Sequence, residues 1–428
     1  MWLMALFGYS MEVNLEYQLY ADDWKDFRPW GNGQFQKTFI KPEGDWKFPE
    51  FNSEKPVYSW LELGDTKRLV ILDQKDKSDS FYNRIYFDAD ANKDLTNDPV
   101  INATEEREQS HNIRIAFPVV QTSYMIGEVE MPYAYQPQIY YYYINKSDFD
   151  LNRLNYFYYV RCSYHGQFKL NDKTYKILAF DKTGNGLYND YFSIPQNYKE
   201  VYKNNLSIYA SGDCMYLTTG EKIVYEDYQH LPEMIILDGN LYDLEVDTAK
   251  TKITITESKK EVHKVSIPMN SEKISLYNLE NKNSLAIYKP GEGVDLPTGK
   301  WLLVDYLSER KDEQGDSWRL QARGTIKTPL LDVRSKQNNE MKMGEPYRAV
   351  ISPNEWSLQN FKNGGDGISM AMNCMGKGEE IVSDVSHFAG NKTVIPLSKK
   401  RTNRPEEPTY RIMSKESEIL TSGNFEYG

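Results

Sequence analysis

From about residue 57 onward the chain repeats one kind of unit: a short run of alternating character closed by turn-forming residues. The runs VYSWLEL, RLVILD, NRIYFD, NIRIAFPVV, IYYYYI, NYFYYVRCSY, QFKL and YKILAFD are separated by GDTK, HG, NDK and similar clusters. A period of two sends successive side chains to opposite faces of a strand. Many such runs at short spacing define an all-β chain. LNDKTYKI and LDGNLYDLEVD carry the Asn-Asp and Asp-Gly pairs of tight hairpins, and KITITES and EVHKVSIP continue the pattern. Tyrosine and phenylalanine favour half-buried sheet faces, and the chain holds 33 tyrosines. No long stretch with a 3.6-residue period is capped at both ends. SDFDLNRL and PQNYKEVYKN are the best helix candidates, and both are short.

With 428 residues the chain is long enough for several domains and a sizeable core. Residues 1–45 read as an irregular leader, and residues 46–269 as a β domain. After residue 270 the character changes. VDLPTGKWLLVDYL reads as a turn and a strand, SERKDEQGD as a polar hairpin loop, and SWRLQARG as the return strand. Residues 270–350 are expected to form a β-sandwich-like module and residues 351–428 a C-terminal β module. LPTGKWLL resembles the LP-x-G-x-Y opening of immunoglobulin-like and prealbumin-like sandwiches, a likeness of about a dozen residues that implies fold alone. The expected fold class is mainly β: an antiparallel multi-domain protein with β-sandwich C-terminal modules.

The net charge of −11 disfavours nucleic acid and anionic lipid and attracts cations. Cys162, Cys214 and Cys374 are an odd number with no CxxC, which speaks against a disulfide scaffold or a cysteine-rich zinc site. The opening MWLMALFGY is too short to span a bilayer and has no basic residues before it. It reads either as the tail of an export signal or as a first strand, so no integral membrane span is expected.

The chemistry is concentrated in two loops. YFDADANKDLTND, residues 86–98, holds four aspartates and two asparagines, and AFDKTGNGLYND, residues 179–190, is a shortened copy. Calcium takes six to eight oxygens, and a loop supplies them by turning alternate side chains inward. In the first copy these are Asp88, Asp90, Asn92 and Asp94, with Asp98 closing the loop. In the second they are Asp181, Thr183, Asn185 and Asp190. Leu95 and Leu187 match as apolar pins. Crowded carboxylates repel unless a cation or solvent offsets them, although Asp, Asn and Gly are also ordinary turn formers.

The opening resembles the EF-hand and dockerin calcium loop D-x-[DN]-x-[DN]-G. Lys93 stands at the glycine position of the first copy, and Pro99 and Phe192 stand where the bidentate glutamate belongs. Both copies follow strands rather than helices. Sites lacking that glutamate are expected to be weak, on the order of 10⁻⁴ M or poorer, as in extracellular modules. The paired loops with a C-terminal module ending in SGNFEYG are similar to large secreted bacterial proteins of unassigned function. That resemblance implies an extracellular or periplasmic location.

Other motifs carry less. GISMA lacks the last glycine of a nucleophile elbow and alternates as a strand, and GVDLPTGKW fails as a phosphate loop. Cys162 and His165 fall on opposite strand faces. The five histidines at 111, 165, 230, 263 and 387 are scattered and read as structural or surface residues. Tyr140 to Tyr143, with Trp30, Trp46 and Trp60, offer rings to a sugar if exposed. The reading is an exported non-catalytic binding or scaffold protein with Ca2+-stabilised loops, its partner a glycan or a surface protein. A carbohydrate-binding protein and a hydrolase with a site assembled from distant residues are the alternatives. Nothing in the sequence names a ligand or an oligomeric state.

Overall fold

The computed structural model describes residues 9–20, 32–108, 112–142, 153–203, 207–221, 223, 227–268, 271–334, 339–388, 407 and 409–425. Strands account for 54% of the described residues and helix for 4%, so the expected mainly β fold is what forms. The strands build several sheets. Apart from the two parallel pairs Met234–Leu237 with Ser284–Tyr288 and Val262–Ser266 with Asn339–Glu340, every strand pairing is antiparallel among the described residues.

The hairpins fall where the turn chemistry puts them. Cys162–Leu170 returns as Lys173–Phe180 through Asn171, whose φ is 54°. Met234–Leu237 returns as Asn240–Asp247 through Asp238 and Gly239, with φ of 50° and 82°. Positive φ at both central residues matches the right-handed strand twist. Gly299–Lys311 and Ser317–Arg323 form the third expected hairpin. Of the two helix candidates, PQNYKEVYKN gives the single turn Tyr198–Val201, and SDFDLNRL lies mostly outside the described residues. An eight-residue helix, Glu355–Lys362, was not expected; Asn354 caps it by accepting the Ser357 N–H.

Four sheets position the site. A four-stranded meander runs Val57–Leu63, Thr66–Asp73, Arg84–Phe87 and Val100–Asn102. A six-stranded sheet is built around the long strand Val129–Tyr142, and a five-stranded sheet around Cys162–Leu170 and Lys173–Phe180. The fourth has twelve strands, ordered Ser10–Asn14, Lys252–Glu257, Asn240–Asp247, Met234–Leu237, Ser284–Tyr288, Lys273–Asn278, Gly299–Lys311, Ser317–Arg323, Ile381–Phe388, Met370–Met375 and Arg348–Pro353, with Leu331–Val333 also pairing Gly299–Lys311. It draws on residues before 45, between 234 and 257, and beyond 270, so hydrogen bonding runs through all four segments distinguished in the sequence.

The run MIIL at 234–237 shows how one strand serves two cores. Met234 and Ile236 enter a core with Val265, Leu296 and Trp301, beneath the three-stranded sheet of Gly293–Pro297, Val262–Ser266 and Asn339–Glu340. Ile235 and Leu237 point the other way, into the large core shared with the smaller sheets. A strand covered on both faces has no polar side to show, which is why it reads as an unbroken apolar run.

Candidate metal centre

Each Asp-rich loop leaves a strand that ends in phenylalanine. Residues 88–99 connect Arg84–Phe87 to its antiparallel neighbour Val100–Asn102 at the surface. Residues 181–213 leave Lys173–Phe180 and return as its neighbour Cys214–Thr218. The local backbone repeats as well. Ala91 and Lys93 have φ of 59° and 66°, and their counterparts Gly184 and Gly186 have 76° and 81°. Asn92 Oδ1 accepts the Asp94 N–H at 2.6 Å, and Asn185 Oδ1 accepts the Leu187 N–H at 2.8 Å. The two stretches therefore share a fold as well as a composition.

Their carboxylates have different fates. In the first loop Asp88 is 1% exposed, and one carboxylate oxygen each of Asp88, Asp90 and Asp98 lie within 4.8 Å of one another. Asp88 Oδ1 and Asp98 Oδ2 are buried atoms with no hydrogen-bond partner. Asp98 Oδ1 accepts the Ala89 N–H at 3.0 Å, which ties the end of the loop to its start. Burial is the main cause that pushes the Asp88 pKa up, opposed by the Lys93 N–H and reinforced by the Asp90 charge. Burial also raises Asp98, and the charges of Asp90, Asp88 and Asp94 add to it. Both therefore resist ionisation. Arg68 acts on Asp88 and Asp90 only from beyond ion-pair distance.

Not every expected ligand joins this group. Asp94 is held outside it by an ion pair with Lys47 at 2.7 Å, which lowers its pKa together with bonds from Thr96. Asn92 serves the turn, donating from Nδ2 to Asp90 Oδ2 at 2.8 Å. The Lys93 ammonium does not enter the cluster; it sits 5.9 Å from the centre of the Trp46 ring. Leu95 is buried against Tyr58, Leu69, Ile71 and Tyr86, the apolar pin expected of it.

In the second loop protein donors meet the carboxylates. Asp181 is fully buried. Its Oδ1 accepts the Gly184 N–H at 2.6 Å, and its Oδ2 accepts the Gly186 N–H at 2.7 Å and the Tyr133 hydroxyl at 2.9 Å. Asp190 Oδ2 accepts from Thr183 Oγ1 and Asn185 Nδ2, both at 2.8 Å. A residue that the sequence did not single out completes the loop. Asp213, 0% exposed, accepts the N–H groups of Lys182 and Asp190, each at 3.0 Å. Burial raises the pKa of Asp181 and of Asp213, which lie close enough to repel each other. Asp213 lies 32 positions from Asp181 in an ordinary SGDC turn, so only the fold could reveal it. Glycine is required here twice over. A Cβ on Gly186 would sit 2.9 Å from Tyr124 and 3.1 Å from Leu63, and one on Gly184 would sit 2.8 Å from Gly33.

The remaining candidates separate clearly. Cys162 is buried, with Sγ toward the Ala134 carbonyl and the Tyr188 hydroxyl, whereas His165 bonds Ser163 Oγ at 2.8 Å. All three cysteines are free. Tyr141 is buried, while Tyr140 and the half-exposed Tyr142 stack at 6.3 Å on the other face. Trp46 and Trp60 meet edge to face at 5.7 Å. Trp30, Tyr143 and His111 lie outside the described residues. A surface cleft of about 680 Å³ beside the meander, lined by Phe51, Asn52, Ser53, Gln74 and Tyr82 among others, has one carboxylate, Glu54. No described helix is long and apolar enough to cross a membrane. No family model matches the chain, and no curated protein or solved structure matches it either.

Proposed function

We propose that residues 88–98 bind one Ca2+ ion through Asp88, Asp90 and Asp98, and that the protein is an exported, non-catalytic binding or scaffold protein whose loop the ion fixes. The observation that carries this reading is the pair of buried, unpartnered oxygens, Asp88 Oδ1 and Asp98 Oδ2, on two acids that converge with a third, Asp90. A buried acceptor left unsatisfied costs roughly 1–3 kcal/mol, more when charged. A hard divalent ion removes that cost for both oxygens and offsets the mutual repulsion. Three carboxylates leave several of the six to eight calcium positions to backbone carbonyls and water, so weak binding and a location rich in calcium go together. The second loop already satisfies its acids and is assigned a structural role without an ion.

Calorimetric titration with Ca2+ tests this assignment. One site of about 10⁻⁴ M or weaker is expected, lost in Asp90→Ala and in Asp98→Ala and kept in Asp190→Asn. Loss in Asp190→Asn with retention in Asp90→Ala would reverse the assignment.

A second reading, carbohydrate binding, has its own observation. Tyr142, Tyr140 and Phe157 form a near-parallel row on one face of the six-stranded sheet, with adjacent rings 6.3 and 5.5 Å apart and tilted by 17° and 16°. Tyr142, half-exposed at the end of this row, offers a ring with a polar tip of the kind on which sugars stack. Glycan-array binding that is lost in Tyr142→Ala would support it, and an unchanged array profile would remove it.

A further inference from the structure

We propose a second metal site of a different chemical class: Asp312, Asp316 and His387 form a mixed nitrogen and oxygen centre for a borderline divalent cation such as Zn2+. The three residues come from two elements. Asp312 and Asp316 lie in the loop closing the hairpin Gly299–Lys311/Ser317–Arg323, and His387 is on the neighbouring strand Ile381–Phe388. Their potential ligand atoms all lie within 4.8 Å of one another.

The distances are longer than those of a closed, hydrogen-bonded ion pair. His387 Nε2 is 3.4 Å from Asp316 Oδ2 and 3.8 Å from Asp312 Oδ2, and this buried nitrogen makes no hydrogen bond. A charge-assisted N–H···O contact closes to about 2.7–2.9 Å. Two ligands of one tetrahedral zinc ion, each bound at about 2.0–2.2 Å, are instead held roughly 3.3–3.5 Å apart. The imidazole nitrogen thus stands at the spacing of shared ligands from Asp316, with Asp312 a few tenths of an ångström beyond it. Imidazole together with carboxylate selects zinc and its transition-metal neighbours, and a nitrogen donor has no use to Ca2+.

The surroundings orient the ligands. Trp318 lies directly opposite His387 in the sheet, and their rings stack at 4.0 Å with a 12° tilt. Its indole Nε1 donates to Asp312 Oδ2 at 2.8 Å. Asp312 Oδ1 accepts the N–H groups of Gln314 and Asp316 at 3.0 and 2.9 Å, which fixes the carboxylate and, unlike Asp181, leaves one acceptor position, on Oδ2, on the side of His387. Three protein ligands leave a fourth position for water or a substrate atom. A cleft of about 340 Å³ that shares Asp312 and Trp318 lies beside it.

Co2+ in place of Zn2+ makes the site visible. The full chain, with Ca2+ in excess to fill loop 88–98, is titrated with Co2+ and then with Zn2+. A visible ligand-field band of tetrahedral intensity, at one equivalent and displaced by Zn2+, is expected. His387→Ala should abolish it, Asp316→Asn should weaken binding at least tenfold, and Trp318→Phe should weaken it about tenfold by removing the indole bond. Retained Ca2+ binding shows that each variant is folded. Absence of a band in the unmutated protein, or a band that survives both His387→Ala and Asp316→Asn, would overturn the proposal.

Discussion

Loops 88–98 and 181–190 begin with the same backbone and end with opposite chemistry. Both turn through left-handed residues at equivalent positions, and both use an asparagine Oδ1 to close the turn. In the buried copy Asp181 is met by two glycine N–H groups and the Tyr133 hydroxyl, while a second acid, Asp213, caps the loop from outside. In the surface copy three acids converge, and two of their oxygens meet nothing. The number of acidic residues alone therefore does not separate a metal loop from a structural clip. What separates them is whether backbone and hydroxyl donors already occupy the carboxylate oxygens.

The sharpest way to break this comparison is to remove the acid the buried loop relies on. Asp181→Ala strands the N–H groups of Gly184 and Gly186 and the Tyr133 hydroxyl in the core. At about 1–3 kcal/mol for each stranded group, with partial relaxation, a loss of about 3–5 kcal/mol is expected. Urea unfolding should show the same loss in Ca2+ and in chelator. A loss confined to Ca2+ would make the second loop a metal site after all.

Exchanging the turn residues comes next. Gly186→Lys meets both a left-handed φ and the Tyr124 and Leu63 side chains, for about 2–4 kcal/mol of destabilisation. The reverse change, Lys93→Gly, relieves a left-handed lysine at the surface and should change stability by about 1 kcal/mol or less. Equal costs for the two would mean that the loops do not differ in packing.

Smaller still is the effect of pH on loop 88–98. The folded-state pKa values of Asp88 and Asp98 are raised, so the unfolded chain ionises more readily than the folded one. Without calcium, the contribution of these two acids is most favourable below their unfolded pKa and is lost as pH rises through the raised folded values. With calcium the order reverses, because the ion needs both groups ionised. Melting curves of the unmutated protein against Asp88→Asn should therefore show a calcium-dependent gap near pH 7 that closes as pH falls. A gap that widens on acidification would contradict the assignment of these two acids. Asp94→Ala should have the least effect on the ion, leaving calcium affinity within about twofold, since Lys47 already holds that carboxylate. A tenfold loss in a calcium titration would restore Asp94 to the ligand set.

The strands were legible because a period of two is written directly in the residues, and the hairpins because Asn171-Asp172 and Asp238-Gly239 admit few other turns. The pairing of Ser10–Asn14 with Lys252–Glu257 was not, since nothing in either segment marks a partner so distant in the chain. The loop itself stood out, yet its ligand set shifted. Asp94 fits the i, i+2 pattern, but Lys47 captures it across a long sequence gap. Asp213 was invisible for the same reason: a local pattern does not record which distant group fills a carboxylate. The Asp312–Asp316–His387 group joins a hairpin loop to a strand more than sixty residues further on, so no spacing rule finds it.

The central claim is that Ca2+ stabilises the protein through Asp88, and thermal melts of the unmutated chain and Asp88→Asn, each in excess Ca2+ and in chelator, test it most directly. At about a hundredfold excess over Kd the ion adds about 2.7 kcal/mol to the native state. A rise of several degrees is thus expected for the unmutated chain and none for the variant, which in chelator should melt no lower than the unmutated chain because it lacks the buried charge. A variant that keeps the calcium-dependent rise, or an unmutated chain that shows none, would contradict the account.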